Sequence, residues 1–340
     1  MTNSKLYSIL EHFDKYEQNR LRKFLQSPYF NKNEVLINLF EYLIKKINSG
    51  SDRGLDKETI WKKVEKGKEY DDVRFRKLFS ELLKLVEQYL AQEEYSKNPW
   101  HQSNFLTESI IQRKMERLFN SSLKNAERAI DKQPFRNGDF HFYKYQIEKN
   151  LRELNEQSYD RSSRRNYEEI LFNLDKFYIA EKLKYYAAIL SHQAVSSHEY
   201  KILFNEAILS YLRKNEITEQ SPVIAIYYQL CKMQLEPKKV EYFYSLKELL
   251  QQHIELFPPQ EAERIYGEAS NYCIKKINSG NSGFLREYFE IYRELLKKNI
   301  IYQNEEFDPY VFRNIIVSAL RLKEYNWAED FINEYKDKLP

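Results

Sequence analysis

The last 32 residues read PYVFRNIIVSALRLKEYNWAEDFINEYKDKLP, Pro309–Pro340. Phe312, Ile315 and Ala319 recur every three or four residues, so they fall on one side of a helix. Asp308-Pro309 marks where that helix begins, because the N–H that proline lacks would have no partner in the first turn. Ala328 and Ile332 repeat the spacing in a second helix. Arg313, Asn314, Val317 and Arg321 share the face opposite the packing positions. Two such helices cannot bury their apolar sides on each other alone, so the unit needs neighbours on which to stack.

This unit resembles a tetratricopeptide repeat. Phe312, Ile315, Tyr325, Ala328 and Pro340 stand where that family places a large residue, an apolar residue, a tyrosine, an alanine and a proline. Ala319 and Ile332 take further packing positions. The sequence departs from the family at Ile316, where a small residue is usual, and at Tyr335, where alanine is usual; the bulk of Ile316 implies wider spacing between the two helices. The resemblance implies a superhelical array of helical hairpins whose first helices line a concave surface. Proteins of this kind often bind partners there, which implies a protein or peptide partner. Basic and amide groups on such a face, here Arg313, Asn314 and Arg321 with Val317, and Asn271 and Lys275 from the preceding hairpin, suit an acidic peptide or a chain-terminal carboxylate.

Two upstream pairs follow the same logic. One joins a helix around Ile224–Met233 to one around Val240–His253. The other joins Ala262–Ile277 to Phe284–Lys297. From Cys231 to Cys273 to Ala319 the steps are 42 and 46 residues, longer than the family's period of about 34, so these are longer hairpins than the family's. Ser221-Pro222, Glu236-Pro237, Pro258-Pro259 and Asp308-Pro309 each place proline at an expected helix start, and Pro134 separates an earlier pair.

The nonapeptide YLIKKINSG at Tyr42–Gly50 recurs as YCIKKINSG at Tyr272–Gly280. Its lysines (Lys45 and Lys46, Lys275 and Lys276) oppose the negative end of a helix dipole. Gly50 and Gly280 suit the left-handed residue that closes a helix. The repeat therefore reads as one helix-stop solution used twice rather than a binding motif.

The N-terminal part reads as a compact helical module, residues 1–95. Leu6, Ile9, Leu10 and Phe13 form its first stripe. Leu21, Phe24 and Leu25 belong to a second helix that must stop at Ser27-Pro28. Asn31 and Glu34 suggest a capping box for a third, with Leu36, Phe40, Leu43, Ile44 and Ile47 buried. Asp56 caps a short helix containing Ile60 and Trp61. Asp71 caps a long one lined by Phe75, Phe79, Leu82, Val86, Tyr89 and Leu90. SKNPWHQSN, from Ser96 to Asn104, reads as a link to a helical array over residues 103–340, within which residues 156–166 form the most loop-like stretch.

Only seven glycines and nine prolines occur in 340 residues, too little turn chemistry for a sandwich, barrel or doubly wound sheet. The fold class expected is all-α: a small N-terminal bundle followed by the hairpin array. Residues 1–150 carry 28 basic against 22 acidic side chains and residues 151–340 carry 26 against 29, too balanced to demand a nucleic-acid partner. Cys231 and Cys273 read as buried apolar residues of a reducing compartment. No signal peptide or run of about 18 apolar residues is evident. The location expected is cytoplasmic, with no membrane partner.

No constellation of catalytic side chains emerges, and no cofactor is implied. The six histidines lack metal spacing: His192 and His198 are six apart and read as flanking a helix end. Glycine-rich phosphate loops and nucleophile elbows are also missing. The function expected is a non-catalytic scaffold or adaptor. The alternative is nucleic-acid binding by the basic N-terminal module, through Arg20, Arg22, Lys23, Lys62 and Lys63, with Arg161, Arg164 and Arg165 of the RSSRR stretch.

Overall fold

The computed structural model describes residues 2–157, 166–215, 221–301 and 306–339. Among these residues sixteen α-helices and two 3-10 turns occur, with no β-strand. The fold is all-α. The chain divides into two compact units, Met1–Gln102 and Ser103–Pro340.

The first unit holds α1 (Lys5–Glu11), α2 (Lys15–Gln26), α3 (Glu34–Ser49), α4 (Lys57–Val64) and α5 (Asp72–Lys97). Helix α5 packs against α1, α2 and α3, and α4 packs on α3. Leu10, Leu21, Leu25, Phe40, Leu43, Ile60, Leu82 and Val86 are fully buried between them, each contributing about 1.5–3 kcal/mol by leaving water. Asp14, Asp56 and Asp71 accept backbone N–H groups at the starts of α2, α4 and α5.

Two local expectations are corrected here. Asn33, not Asn31, caps α3, accepting from the Val35 N–H. Asn31 is buried instead, donating to the carbonyls of Leu25 and Asn33 and so fixing the turn after Pro28. Leu90 lies outside the buried stripe of α5 and is 39% exposed. The link Ser96–Asn104 is itself mostly helical. Helix α5 runs to Lys97 and α6 (Pro99–Gln112) starts two residues on, so that only Asn98 intervenes. Its side chain accepts from the N–H groups of Trp100 and His101.

The second unit continues with α7 (Glu116–Asp131), α8 (Gly138–Gln157), α9 (Tyr167–Gln193), α10 (Asn205–Lys214), α11 (Pro222–Leu235), α12 (Glu241–His253), α13 (Pro259–Asn278), α14 (Phe284–Lys297), α15 (Pro309–Arg321) and α16 (Tyr325–Tyr335). Successive helices pair: α8 with α9, α11 with α12, α13 with α14, and α15 with α16. The pairs then stack in chain order through α9 on α11, α11 on α13, and α14 on α15. Proline opens α11, α13 and α15 as expected. Pro237 does not open a helix, since α12 begins only at Glu241. Its carbonyl instead accepts the Tyr272 hydroxyl at 2.9 Å. In the last pair Ile315, Ala319 and Ala328 are buried, but Ile332 and Tyr325 face solvent, and Trp327 and Phe331 pack in their stead. Two heavy rings stacked at 5.3 Å do the work that one aliphatic residue was expected to do.

Both copies of the nonapeptide close their helices in the same way. Gly50 and Gly280 have φ of 59° and 93°. Each donates its N–H to the carbonyl three residues back (Ile47, Ile277). The next residue (Ser51, Asn281) reaches the carbonyl of Lys46 or Lys276, the crossed pair of a Schellman ending. The lysine ammonium also lies over the ring of the tyrosine four residues earlier, at 5.7 Å from Tyr42 and 5.3 Å from Tyr272. The tyrosine hydroxyls then latch different neighbours, the carbonyl of Gly54 in one copy and of Pro237 in the other. A Cβ at either glycine would meet nothing within 4 Å. Gly50→Ala and Gly280→Ala should therefore each cost about 1 kcal/mol in urea unfolding, from backbone conformation alone.

Candidate functional site

Helix α11 is buried nearly all round, with Val223–Tyr227 and Leu230–Met233 all inside. It forms the floor of a groove whose walls are α9 and α13. The cavity there has a volume of about 270 Å³. Ala188 and Tyr185 line it from α9, Tyr227 and Leu230 from α11, and Gly267 and Asn271 from α13. A Cβ on Gly267 would meet nothing within 4 Å. No contact inside the fold requires a glycine at this mid-helix position, where it costs roughly 0.5–1 kcal/mol relative to alanine.

Beneath the groove lies a buried polar knot. Glu261, in the first turn of α13, is almost fully buried. Its carboxylate accepts the Tyr227 hydroxyl at 2.6 Å and the Asn137 amide at 2.8 Å. Lys184 of α9 stands 3.2 Å from it and 3.0 Å from Glu181. Burial opposes the charge on Lys184, but Glu261 and then Glu181 outweigh it and hold the ammonium above its ordinary pKa. Burial, then Glu261, pushes the Tyr227 phenol far up. Lys184 is thus a fixed cation and Tyr227 a fixed donor near neutral pH, which suits holding α9, α11 and α13 together better than moving protons. Farther along, the Glu268 carboxylate accepts from Ser191 and from Gln234, the latter at 3.1 Å.

The partner-binding residues expected from sequence fall in two places. Asn271 lines the groove, and Lys275 is exposed one turn farther along the same side of α13. Arg313, Asn314, Val317 and Arg321 are all exposed on one side of α15, and none of them lines the groove. Arg264, missed from sequence, lines the groove four residues before Glu268. Among the described residues Arg264, Lys275, Arg313 and Arg321 have no ion-pair partner. The spacing of Arg264, Asn271 and Lys275 was the available signal for Arg264.

The basic residues of the first unit are placed differently. Arg20 pairs with Glu93 at 2.8 Å, and Arg22 grips both oxygens of Glu41. Glu65, buried beside Trp61, takes both Lys68 and Arg74. Lys23, Lys62 and Lys63 remain exposed. Arg161, Arg164 and Arg165 lie outside the described residues.

His192 ends α9, where its ring nitrogen meets the Tyr200 hydroxyl at 3.0 Å. Among the described residues no group of His, Cys, Asp and Glu could hold a metal. Cys231 and Cys273 are buried thiols, and burial pushes Cys273 up to about 12. No described helix is long and apolar enough to cross a membrane. Comparison with protein-family models, with curated proteins and with solved structures finds no match to this chain.

Two outcomes follow from these charges. Glu261→Ala strands Tyr227 and Asn137 without their acceptor, leaves Lys184 with Glu181 alone, and should cost about 3 kcal/mol or more in urea unfolding, whereas Tyr227→Phe should cost roughly 1 kcal/mol. Hydrogen bonds from Lys57 and Tyr70 hold Asp72 down at about 2, and those from Lys232 and Lys239 do the same for Glu236. A depressed carboxylate stabilises fully above its unfolded pKa of roughly 4 and loses that contribution as pH falls through its folded value. Melting temperature should therefore drop between pH 5 and 2, and Asp72→Asn should flatten that drop.

Proposed function

We propose that this chain is a non-catalytic, cytoplasmic protein-interaction scaffold, with the second unit a tetratricopeptide-like hairpin array. The segment it binds carries a bulky apolar side chain beside acidic residues. The groove over α11 carries this reading: an apolar floor at Leu230, an apolar wall at Ala187, an open wall at Gly267, and a volume of about 270 Å³. That space fits one large side chain with part of its main chain. Charge supplies the flank. The second unit as a whole is charge-balanced, yet among the described residues the exposed cations along α13 and α15 (Arg264, Lys275, Arg313 and Arg321) are unspent on the fold's own carboxylates. Such cations favour an acidic partner. The protonated Lys184 and Tyr227 below the groove support binding over catalysis. The tying of Arg20 and Arg22 to Glu93 and Glu41 weighs against phosphate contacts by the first unit.

The test is to pan a phage-displayed library of random peptides on the full chain. An enriched motif pairing an aromatic or branched aliphatic residue with Asp or Glu is expected. Binding of the synthetic consensus peptide should fall at least about tenfold in Gly267→Phe and in Arg264→Glu, a loss of ~1.4 kcal/mol. Gly267→Ala should bind normally and unfold at higher urea. No enrichment, or a peptide indifferent to both changes, refutes the groove.

A further inference from the structure

Helix α9 buries one side and leaves the opposite side bare. Asn173, Lys176, Ile179, Ala180, Leu183 and Ala187 face inward. Leu171, Tyr178 and Tyr185 lie on the other side, exposed by 57%, 43% and 62%. They are spaced by seven residues, and Leu174 and Ala188 fall between their lines at the three-residue offset. A large apolar stripe with a period of seven is what two helices bury when they cross at a shallow angle. The helix is 27 residues long, and the stripe from Leu171 to Ala188 gives about 26 Å of seam.

The polar residues beside the stripe say which helix fits. Asp175 and Lys182 flank it one heptad apart, on the same side, with opposite signs. Among the described residues neither has an ion-pair partner. Laid antiparallel about a two-fold axis between Ile179 and Ala180, two copies of α9 oppose Tyr185 with Leu174 and Leu171 with Ala188. The same register brings Asp175 of each copy beside Lys182 of the other, twice over. Tyr178 then meets Glu181 across the axis, a phenol that can donate a hydrogen bond to the carboxylate already paired with Lys184. A parallel pair would leave Asp175 beside Ile170 and form neither ion pair. The seam is complementary to itself in one orientation, which is the requirement for a closed two-fold dimer.

We propose that this chain self-associates through α9, as an antiparallel pair sealed by Leu171, Leu174, Tyr178 and Tyr185 and registered by Asp175 and Lys182. The pairing uses the outer side of α9 and shares Tyr185 and Ala188 with the near wall of the groove over α11, so the dimer and a ligand in that groove compete for these two residues.

Sedimentation equilibrium of the full chain tests this. The monomer is 41.4 kDa, and a reversible shift toward twice that mass is expected as concentration rises to the order of 100 µM. Tyr185→Glu should hold the chain at monomer mass with unchanged helical circular dichroism. Asp175→Lys or Lys182→Asp alone should weaken the dimer at least about tenfold, and the two together should restore it to within about threefold. A chain that stays monomeric over that range overturns the proposal. A dimer that ignores Tyr185→Glu, or a double swap no better than its singles, does so equally.

Discussion

The second unit depends on α11 being apolar on every side. A surface helix shows one greasy stripe; a helix with none to spare for water must be enclosed. Val223, Ile224, Ala225 and Ile226 point to four sides of the helix in turn and all are buried, so α9, α12 and α13 all have to close on this rod. That enclosure aligns the walls of the groove and brings Lys184, Tyr227 and Glu261 together from three helices. A buried ion pair is a poor source of stability but an exacting one. Here it ties α9 to α13 across the α11 tyrosine, and the Asn137 amide recruits the loop before α8 to the same carboxylate.

The first unit solves the same problem by another route. Its helices are short, apart from α5, and each is bounded by an explicit cap: Ser4, Asp14, Asn33, Asp56 and Asp71 all accept backbone N–H groups. Its arginines are largely spent on internal carboxylates. The repeated nonapeptide shows how local chemistry and tertiary context divide the labour. The lysine over the tyrosine ring and the glycine ending recur unchanged, because they involve only residues within nine positions. The tyrosine hydroxyl finds whatever carbonyl the surrounding fold presents.

That division also explains what could be read in advance. The stripes of α3, α5 and α15, the caps at Asp56 and Asp71 and the ends at Gly50 and Gly280 are local in sequence, and all are visible there. Asn31 and Pro237 misled because each has two uses. A buried asparagine can bridge a turn as well as cap a helix, and a proline can supply a carbonyl as well as open a helix. Ser96–Asn104 reads as a link because it is polar, and the structure makes it from helix ends joined at Asn98, which caps α6. The groove was not legible. Ala188, Leu230 and Gly267 are brought together only by stacking, and Glu261, an acid in a first helical turn, reads as a solvated residue until Tyr227 and Lys184 are seen to cover it. Arg313, Asn314, Val317 and Arg321 were legible as an exposed face because their spacing alone excludes them from the core.

Hydrogen exchange followed by mass spectrometry in rising urea tests the enclosure of α11 most directly. Amides of residues 222–235 should be the last in the second unit to exchange, and should open in one event with those of α9, α12 and α13. Early exchange of α11, or protection of 259–297 persisting after α11 has opened, would show that the rod is not what the surrounding helices are built on.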